Sequence, residues 1–369
     1  MKISCSKAAF SEAVSVVSRV VPARSSIPAL EGILIRARVG EIELFGYDLD
    51  IGISTDVEAT VEEYGDIILP AKILLDIAKR LPGERVTLTV GDKCLTEIKS
   101  GAAEYTILGM SAEEFPEFPA FDEDPTFSIG EGTLCSMIGQ TLYAVSQSDS
   151  KPVHTGSLFD IEDGFIKVVS VDGYRLALRK EKVNFSEAIR FVVPGRALSE
   201  VARILDPESD SDAEVFVAKK HIFFKNDRFC IYTRLLEGDF LDYESAIPKN
   251  GQIKVRVSTR DLTNAVDRVS LLINDRIRSP LRVKFEEREI RLACSTALGR
   301  ASDVLDANTV GGTIEMGFNN RYLLDALKNT ACDEIMLEIS GALAPMKVLP
   351  VEGDDFTFLV LPVRLKTEG

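Results

Sequence analysis

Apolar residues recur at i, i+3, i+4 and i+7 in three places: Phe10, Ala13, Val14 and Val17; Leu262, Ala265, Val266 and Val269; and, less regularly, Leu134, Met137, Ile138 and Leu142. That spacing lines one face of an α-helix, so each set predicts an amphipathic helix. A second helix is predicted at or near Pro70 and Pro194, where a residue without an N–H fits a helix start; its stripe in the first case is Ile73, Leu74 and Ile77. Elsewhere the period drops to two. Val86–Val90 alternates cleanly; Leu281, Val283 and Phe285 turn at Glu286-Glu287-Arg288 into Ile290 and Leu292; Ile222–Phe224 turns at Asn226-Asp227 into Phe229–Tyr232. These are signals of antiparallel meanders with helices over one face, an α+β class.

The elements come in three copies. Ile67-Ile68-Leu69-Pro70-Ala71-Lys72-Ile73-Leu74-Leu75-Asp76 returns as Phe191–Glu200 and again around Phe318–Asp325, with Pro70, Pro194 and Asn319 spaced by 124 and 125 residues. Phe10, Leu134 and Leu262 repeat at 124 and 128, and Asp48 and Asp172 at 124. Such a period matches a domain and is too long for a solenoid unit. Three similar domains are expected, at 1–121, 127–247 and 253–369, with linkers near Pro116–Pro125 and Pro248–Gly251.

With 45% hydrophobic residues the chain has material for several cores. Its first residues lack an apolar signal core and no uncharged run approaches the roughly 20 residues needed to span a bilayer, so a cytoplasmic location is expected and no membrane partner. Six scattered cysteines without a Cys-x-x-Cys pair fit free thiols. No cofactor or metal is implied. A hydrolytic triad can be drawn from Ser146, Ser148 or Ser150 with His154 and Asp149 or Asp160, but no Gly-x-Ser-x-Gly elbow surrounds these serines, and no phosphate loop occurs. The chain is read as non-catalytic.

A net charge of −15 argues at first against nucleic acid. Its distribution changes that. The six helical segments with their flanks carry +5, leaving −20 on everything else. Two readings follow: helices carrying solubilising Lys and Arg, or a basic helical face that meets DNA while the sheets repel it. The second makes Arg19, Arg24, Lys72, Lys79, Arg80, Arg196, Arg203, Arg260, Arg268, Arg276, Arg278, Arg321 and Lys328 the candidate contacts.

The segments Arg24–Leu30, Val171-Asp172-Gly173-Tyr174-Arg175-Leu176-Ala177, Glu237-Gly238-Asp239-Phe240-Leu241-Asp242-Tyr243, Gly317-Phe318-Asn319 and Val360–Leu365 lie in order on this threefold repeat. With them the chain resembles, over essentially its whole length, the bacterial DNA polymerase III beta subunit family of sliding clamps. The resemblance implies a DNA clamp fold, sheets outside and two helices inside each domain. It also implies a head-to-tail homodimeric ring around duplex DNA, held topologically and without sequence contacts. Tyr105, Leu271 and Leu272 fall where the family makes its dimer interface; the other reading of all three is core. A partner pocket between the second and third domains is implied, lined by His154, Val171, Gly173, Tyr174, Arg175, Leu176, Leu241, Ser245, Ala246, Asn319, Tyr322, Leu343, Pro345, Leu359, Leu361, Pro362, Val363, Arg364 and Leu365. Short linear segments of the replicative polymerase, the clamp loader and repair polymerases would dock there. His154, Ser245 and Pro345 depart from residues common in the family and alter the rim. The alternative is a repeat-built protein-binding scaffold that does not encircle DNA.

Overall fold

The structure is a computed structural model that describes residues 1–117, 119, 124–273 and 279–365. Part of the expected linker at 116–125 and the candidate contacts Arg276 and Arg278 lie outside the described residues.

Seven α-helices are present among the described residues: α1 (Lys7–Val17), α2 (Ala71–Arg80), α3 (Glu131–Leu142), α4 (Gly195–Ile204), a single turn α5 (Tyr243–Ala246), α6 (Thr259–Ser270) and α7 (Asn320–Lys328). Apart from α5 they are the two helices per repeat that the periodicity predicts. Their starts follow local chemistry. Ser6 and Ser258 accept N–H bonds as N-caps of α1 and α6. Pro70 and Pro194 immediately precede α2 and α4. The apolar stripes are buried: Phe10, Val14 and Val17 of α1 and Leu262, Ala265 and Val266 of α6 are almost fully covered.

Every strand pairing is antiparallel among those described, including both hairpins read from the sequence, Leu281–Phe285 with Glu289–Thr296 and His221–Lys225 with Phe229–Arg234. The residues fall into two compact units. One holds Met1–Leu134 with Glu200–Leu235, the other Cys135–Ser199 with Leu236–Gly369. Each unit thus joins one outer repeat to half of the middle repeat, because strands pair across the repeat boundaries. In the first, Phe229–Arg234 pairs with Ile51–Glu63, so that Thr233 faces Ile51 and Ile231 faces Ile53 within a 12-stranded sheet. In the second, Phe356–Val360 pairs with Arg175–Lys182, so that Val360 faces Arg175 within a nine-stranded sheet.

The turn before each of these receiving strands is repeated too. Asp48 Oδ1 accepts from the backbone N–H groups of Asp50 and Ile51 at 3.0 and 2.7 Å; Asp172 Oδ1 accepts from Tyr174 and Arg175 at 2.9 and 3.0 Å. The third copy uses a hydroxyl instead: Thr296 Oγ1 accepts from Leu298 at 3.1 Å. A short polar side chain that bonds its own backbone two residues on holds the turn in all three.

Candidate functional site

A hollow of about 780 Å³ lies in the second unit. Its walls are the turn Gly173-Tyr174, the start of α7 from Phe318 to Tyr322, the final segment Leu361–Arg364, and Ile273, Ser279 and Pro280.

Each wall has a local cause. Gly173 adopts φ +90°, where a side chain is strained, and this aims Tyr174 outward, 60% exposed. Below it, Tyr322 stacks on Tyr174 with ring centroids 5.7 Å apart and 22° between planes. Arg175 supports this pair. Its Nε donates to Asp172 at 2.9 Å and its Nη1 to Asp325, while the guanidinium lies 4.7 Å from the Tyr322 ring centroid and 5.4 Å from that of Tyr143. Burial pushes the Tyr143 hydroxyl far above its ordinary pKa despite the nearby Arg175 charge, so it stays protonated. Asn319 caps α7, its Oδ1 accepting from the N–H groups of Arg321 and Tyr322 at 3.0 and 3.5 Å.

The final segment is laced to both sides. Leu361 N–H donates to Tyr174 O at 2.9 Å and Val363 N–H to Gly317 O at 2.8 Å. Gly317 permits that approach: a Cβ there would come within 2.6 Å of Leu365 Cδ2 and 2.7 Å of Val363 O.

Of the nineteen residues expected in a pocket, Gly173, Tyr174, Asn319, Tyr322, Leu361, Pro362, Val363 and Arg364 line this hollow. The others do not reach its wall. Val171, Leu176 and Leu359 are buried in an apolar cluster with Val153, Leu158 and Tyr243. Arg175 props the wall from beneath, and Leu365 covers Gly317. His154 packs edge-on against Phe240, ring centroids 5.3 Å apart. Ser245 donates to Asp242 from both its N–H and its hydroxyl. Leu241 and Leu343 are exposed, and Ala246 and Pro345 half-buried, none of them in its lining. Sequence reasoning did not place Phe318 and Asn320, which adjoin Asn319, in the pocket, read Arg321 as a DNA contact instead, and missed Ile273, Ser279 and Pro280, which carry no sequence signal.

The drawn hydrolytic triad is not assembled. Ser146 and Ser148 donate to Ser148 O and to the Ser150 hydroxyl, both at 3.2 Å, and Asp160 accepts from Tyr243 OH at 2.6 Å. Burial, then the Lys151 charge, lowers the His154 pKa; burial, then Arg234 and Lys220, lowers that of His221.

In the first unit a hollow of about 370 Å³ is lined by Ile73, Asp76, Ile77, Arg80 and Tyr105. In the second, Leu271 is 80% exposed while Leu272 packs against the core. Each of the eleven described basic candidates has an exposed side chain. Several are paired: Arg80 with Asp76 at 2.7 Å, Arg203 with Glu200 at 2.7 Å, Arg19 with Glu200 at 3.7 Å and Arg268 with Asp303 at 2.6 Å.

Known proteins match this arrangement throughout. Family models of the DNA polymerase III beta subunit match its N-terminal domain at residues 1–119, its central domain at 128–242 and its C-terminal domain at 244–364. The beta sliding clamp of Staphylococcus epidermidis is 33% identical over 357 residues, 94% of each chain. Among solved structures, the DNA polymerase sliding clamp of Bacillus subtilis is 30% identical with a TM-score of 0.96, covering 99% of this chain and 100% of that one. A putative DNA polymerase III beta subunit from Eubacterium rectale is 31% identical with a TM-score of 0.94, covering 98% and 99%. The chain belongs to the DNA polymerase III beta subunit family and has its three-domain α+β clamp fold.

Proposed function

We propose that this chain is a DNA sliding clamp: a non-catalytic, head-to-tail homodimer that encircles duplex DNA and tethers the replicative polymerase. One observation carries the reading. The last strand of the second repeat pairs with a receiving strand of the first, and the last strand of the third with the equivalent strand of the second. Among the described residues the remaining pair of that kind is left open: Ala103–Leu108, last strand of the first repeat, is one edge of the 12-stranded sheet, and Gly299–Asp306, receiving strand of the third, is one edge of a four-stranded one. An unpaired edge strand is a template for another chain. Two copies joined head to tail make both missing pairs and close a ring of six repeats, with domains at 1–121, 127–247 and 253–369. The exposed Leu271, beside Leu272, then faces the partner's hollow at Ile73, Ile77 and Tyr105.

The hollow at Tyr174, Asn319 and Leu361–Arg364 takes short linear segments of the polymerase, the clamp loader and repair polymerases. Its apolar residues Phe318, Leu361 and Pro362 and its aromatic wall of Tyr174 and Tyr322 suit an extended peptide. The working compartment is the cytoplasm, where these partners act on DNA. The test is retention on a nicked circular plasmid after loading. Retention on the circle with release on linearisation is expected; equal retention on circle and line would leave a scaffold that does not encircle DNA.

A further inference from the structure

The basic residues of the helices are not equally available. Arg24, Lys72, Lys79, Arg260 and Lys328 are exposed and form no ion pair among the described residues. The acidic neighbour of Lys72 and Lys79 on α2, Asp76, has its carboxylate hydrogen-bonded to Arg80. Arg19 and Arg203 share one carboxylate, Glu200, which is only 11% exposed and sits 3.7 and 2.7 Å from their Nη1 atoms. Arg268 is gripped from two nitrogens: its Nε and Nη2 reach Asp303 Oδ2 at 2.8 and 2.6 Å, and Asp303 is 24% exposed. The carboxylates are the buried members of these pairs, Arg203 and Arg268 themselves being about three-fifths exposed, and partly buried pairs are screened by salt less than fully exposed ones. The Arg80–Asp76 pair is open to solvent on both sides and gives way easily. Arg196 and Arg321 are engaged in interactions of their own.

We propose that phosphate contact falls to Arg24, Lys72, Lys79, Arg260 and Lys328, and that Glu200 and Asp303 withhold Arg19, Arg203 and Arg268 from it. The assignment rests on the clamp reading and refines it. A chain that neutralises part of its own basic surface holds DNA loosely, which suits a protein that must slide.

Counterion release makes this measurable, because each phosphate neutralised steepens log K against log salt by about 0.9. The dimer is titrated with a short fluorescent linear duplex at several sodium chloride concentrations. Lys72→Ala and Lys79→Ala should each flatten the slope by about 0.9 per phosphate lost, hence by about 1.8 when both copies in the dimer lose the contact, while Arg268→Gln leaves it unchanged. Glu200→Gln should steepen it by releasing Arg19 and Arg203; Arg203→Gln, with the wild-type slope expected, serves if Glu200→Gln does not fold. Flattening by Arg268→Gln or Arg203→Gln equal to that of Lys72→Ala, or an unaltered slope in folded Glu200→Gln, would overturn the assignment. Retention on nicked circles is scored separately: its failure in the unaltered chain overturns encirclement itself, and the assignment with it.

Discussion

Replacing Gly317 by alanine should damage partner binding more than folding. The added methyl would lie 2.6 Å from Leu365 Cδ2 and 2.7 Å from Val363 O, inside the distance that real Cβ atoms tolerate. The strand Ile314–Phe318 keeps its pairing with Leu281–Phe285, so the final segment is the part free to move. Moving it breaks the 2.8 Å bond from Val363 N–H to Gly317 O, worth about 1 kcal/mol net, and overpacking of this kind costs about 1–3 kcal/mol. The second repeat shows which contact matters. There Leu236 N–H donates to Val192 O at 2.9 Å, so a side chain at that place is compatible with the backbone bond. The constraint at Gly317 is the close crossing of Val363 and Leu365. Displacing Leu361–Arg364 removes one wall of the pocket, so affinity for a labelled polymerase-derived peptide should fall roughly tenfold to a hundredfold, about 1.4–2.7 kcal/mol. Fluorescence anisotropy reads the affinity and a thermal melt confirms folding. Unchanged affinity in a folded Gly317→Ala chain would refute the claim that this segment forms the binding wall.

Two further outcomes follow from single contacts. Leu271→Ala should weaken each of the two interfaces of the dimer by about 1.5–3 kcal/mol, the value of burying a leucine side chain, seen as a shift toward monomer mass on dilution in sedimentation; an unchanged dimer constant would place Leu271 outside the interface. Glu338 sits between Lys254 and Lys347 on neighbouring strands; burial pushes its pKa up, but hydrogen bonds from Lys347 and Lys254 outweigh this and hold it below the usual range. Its stabilisation is therefore complete above the ordinary value of 4.5 and lost as pH falls through the lowered folded pKa. Glu338→Gln should cost about 3 kcal/mol near neutrality, because it strands the 8%-exposed Lys347 without a counter-charge, and should remove that acid-range dependence; a melt insensitive to the substitution would contradict it.

Helices and hairpins were legible because they are set by local spacing, as with Phe10, Ala13 and Val14 or the turn at Glu286–Arg288. Pairing across repeats was not. Ile53 meets Ile231 across 178 residues, and neither strand announces its partner. The third copy of the repeated turn was hidden by chemistry: Thr296 stands 124 residues after Asp172, but a hydroxyl replaces the carboxylate. At the pocket, family likeness brought out Tyr174, Asn319 and Leu361 but also drew in Val171, Leu176 and Leu359, which one strand pairing buries together. Charge counting found basic helices, yet whether an arginine is spent on Glu200 or Asp303 depends on distances no composition contains.

The repeat also sets the register of the contact between copies. The turn after the last strand is equivalent in the first two repeats, since Gly109 N–H donates to Cys94 O and Leu235 N–H to Lys220 O, both at 2.9 Å, an offset of 126. On the receiving side Tyr47 faces Gly52, Val171 faces Leu176 and Ser295 faces Arg300, an offset of 124 at each step. Carrying the pair Ile231–Ile53 through both offsets puts Tyr105 of one copy opposite Ala301 of the other. The bond from Arg234 N–H to Asp50 O makes Thr233–Ile51, and by alternation Ile231–Ile53, a non-hydrogen-bonded pair, whose Cα atoms lie about 4.5 Å apart. That separation accepts a disulfide. A chain carrying Tyr105→Cys and Ala301→Cys should therefore oxidise to covalently linked dimers on a non-reducing gel, while either single variant remains unlinked. Moving the second cysteine to Asp303 shifts the partner by two residues, about 7 Å along the strand, and should abolish the link. Equal linking at 301 and 303, or none at 301 in a chain that still dimerises, would show that the contact between copies does not repeat the seams within each chain.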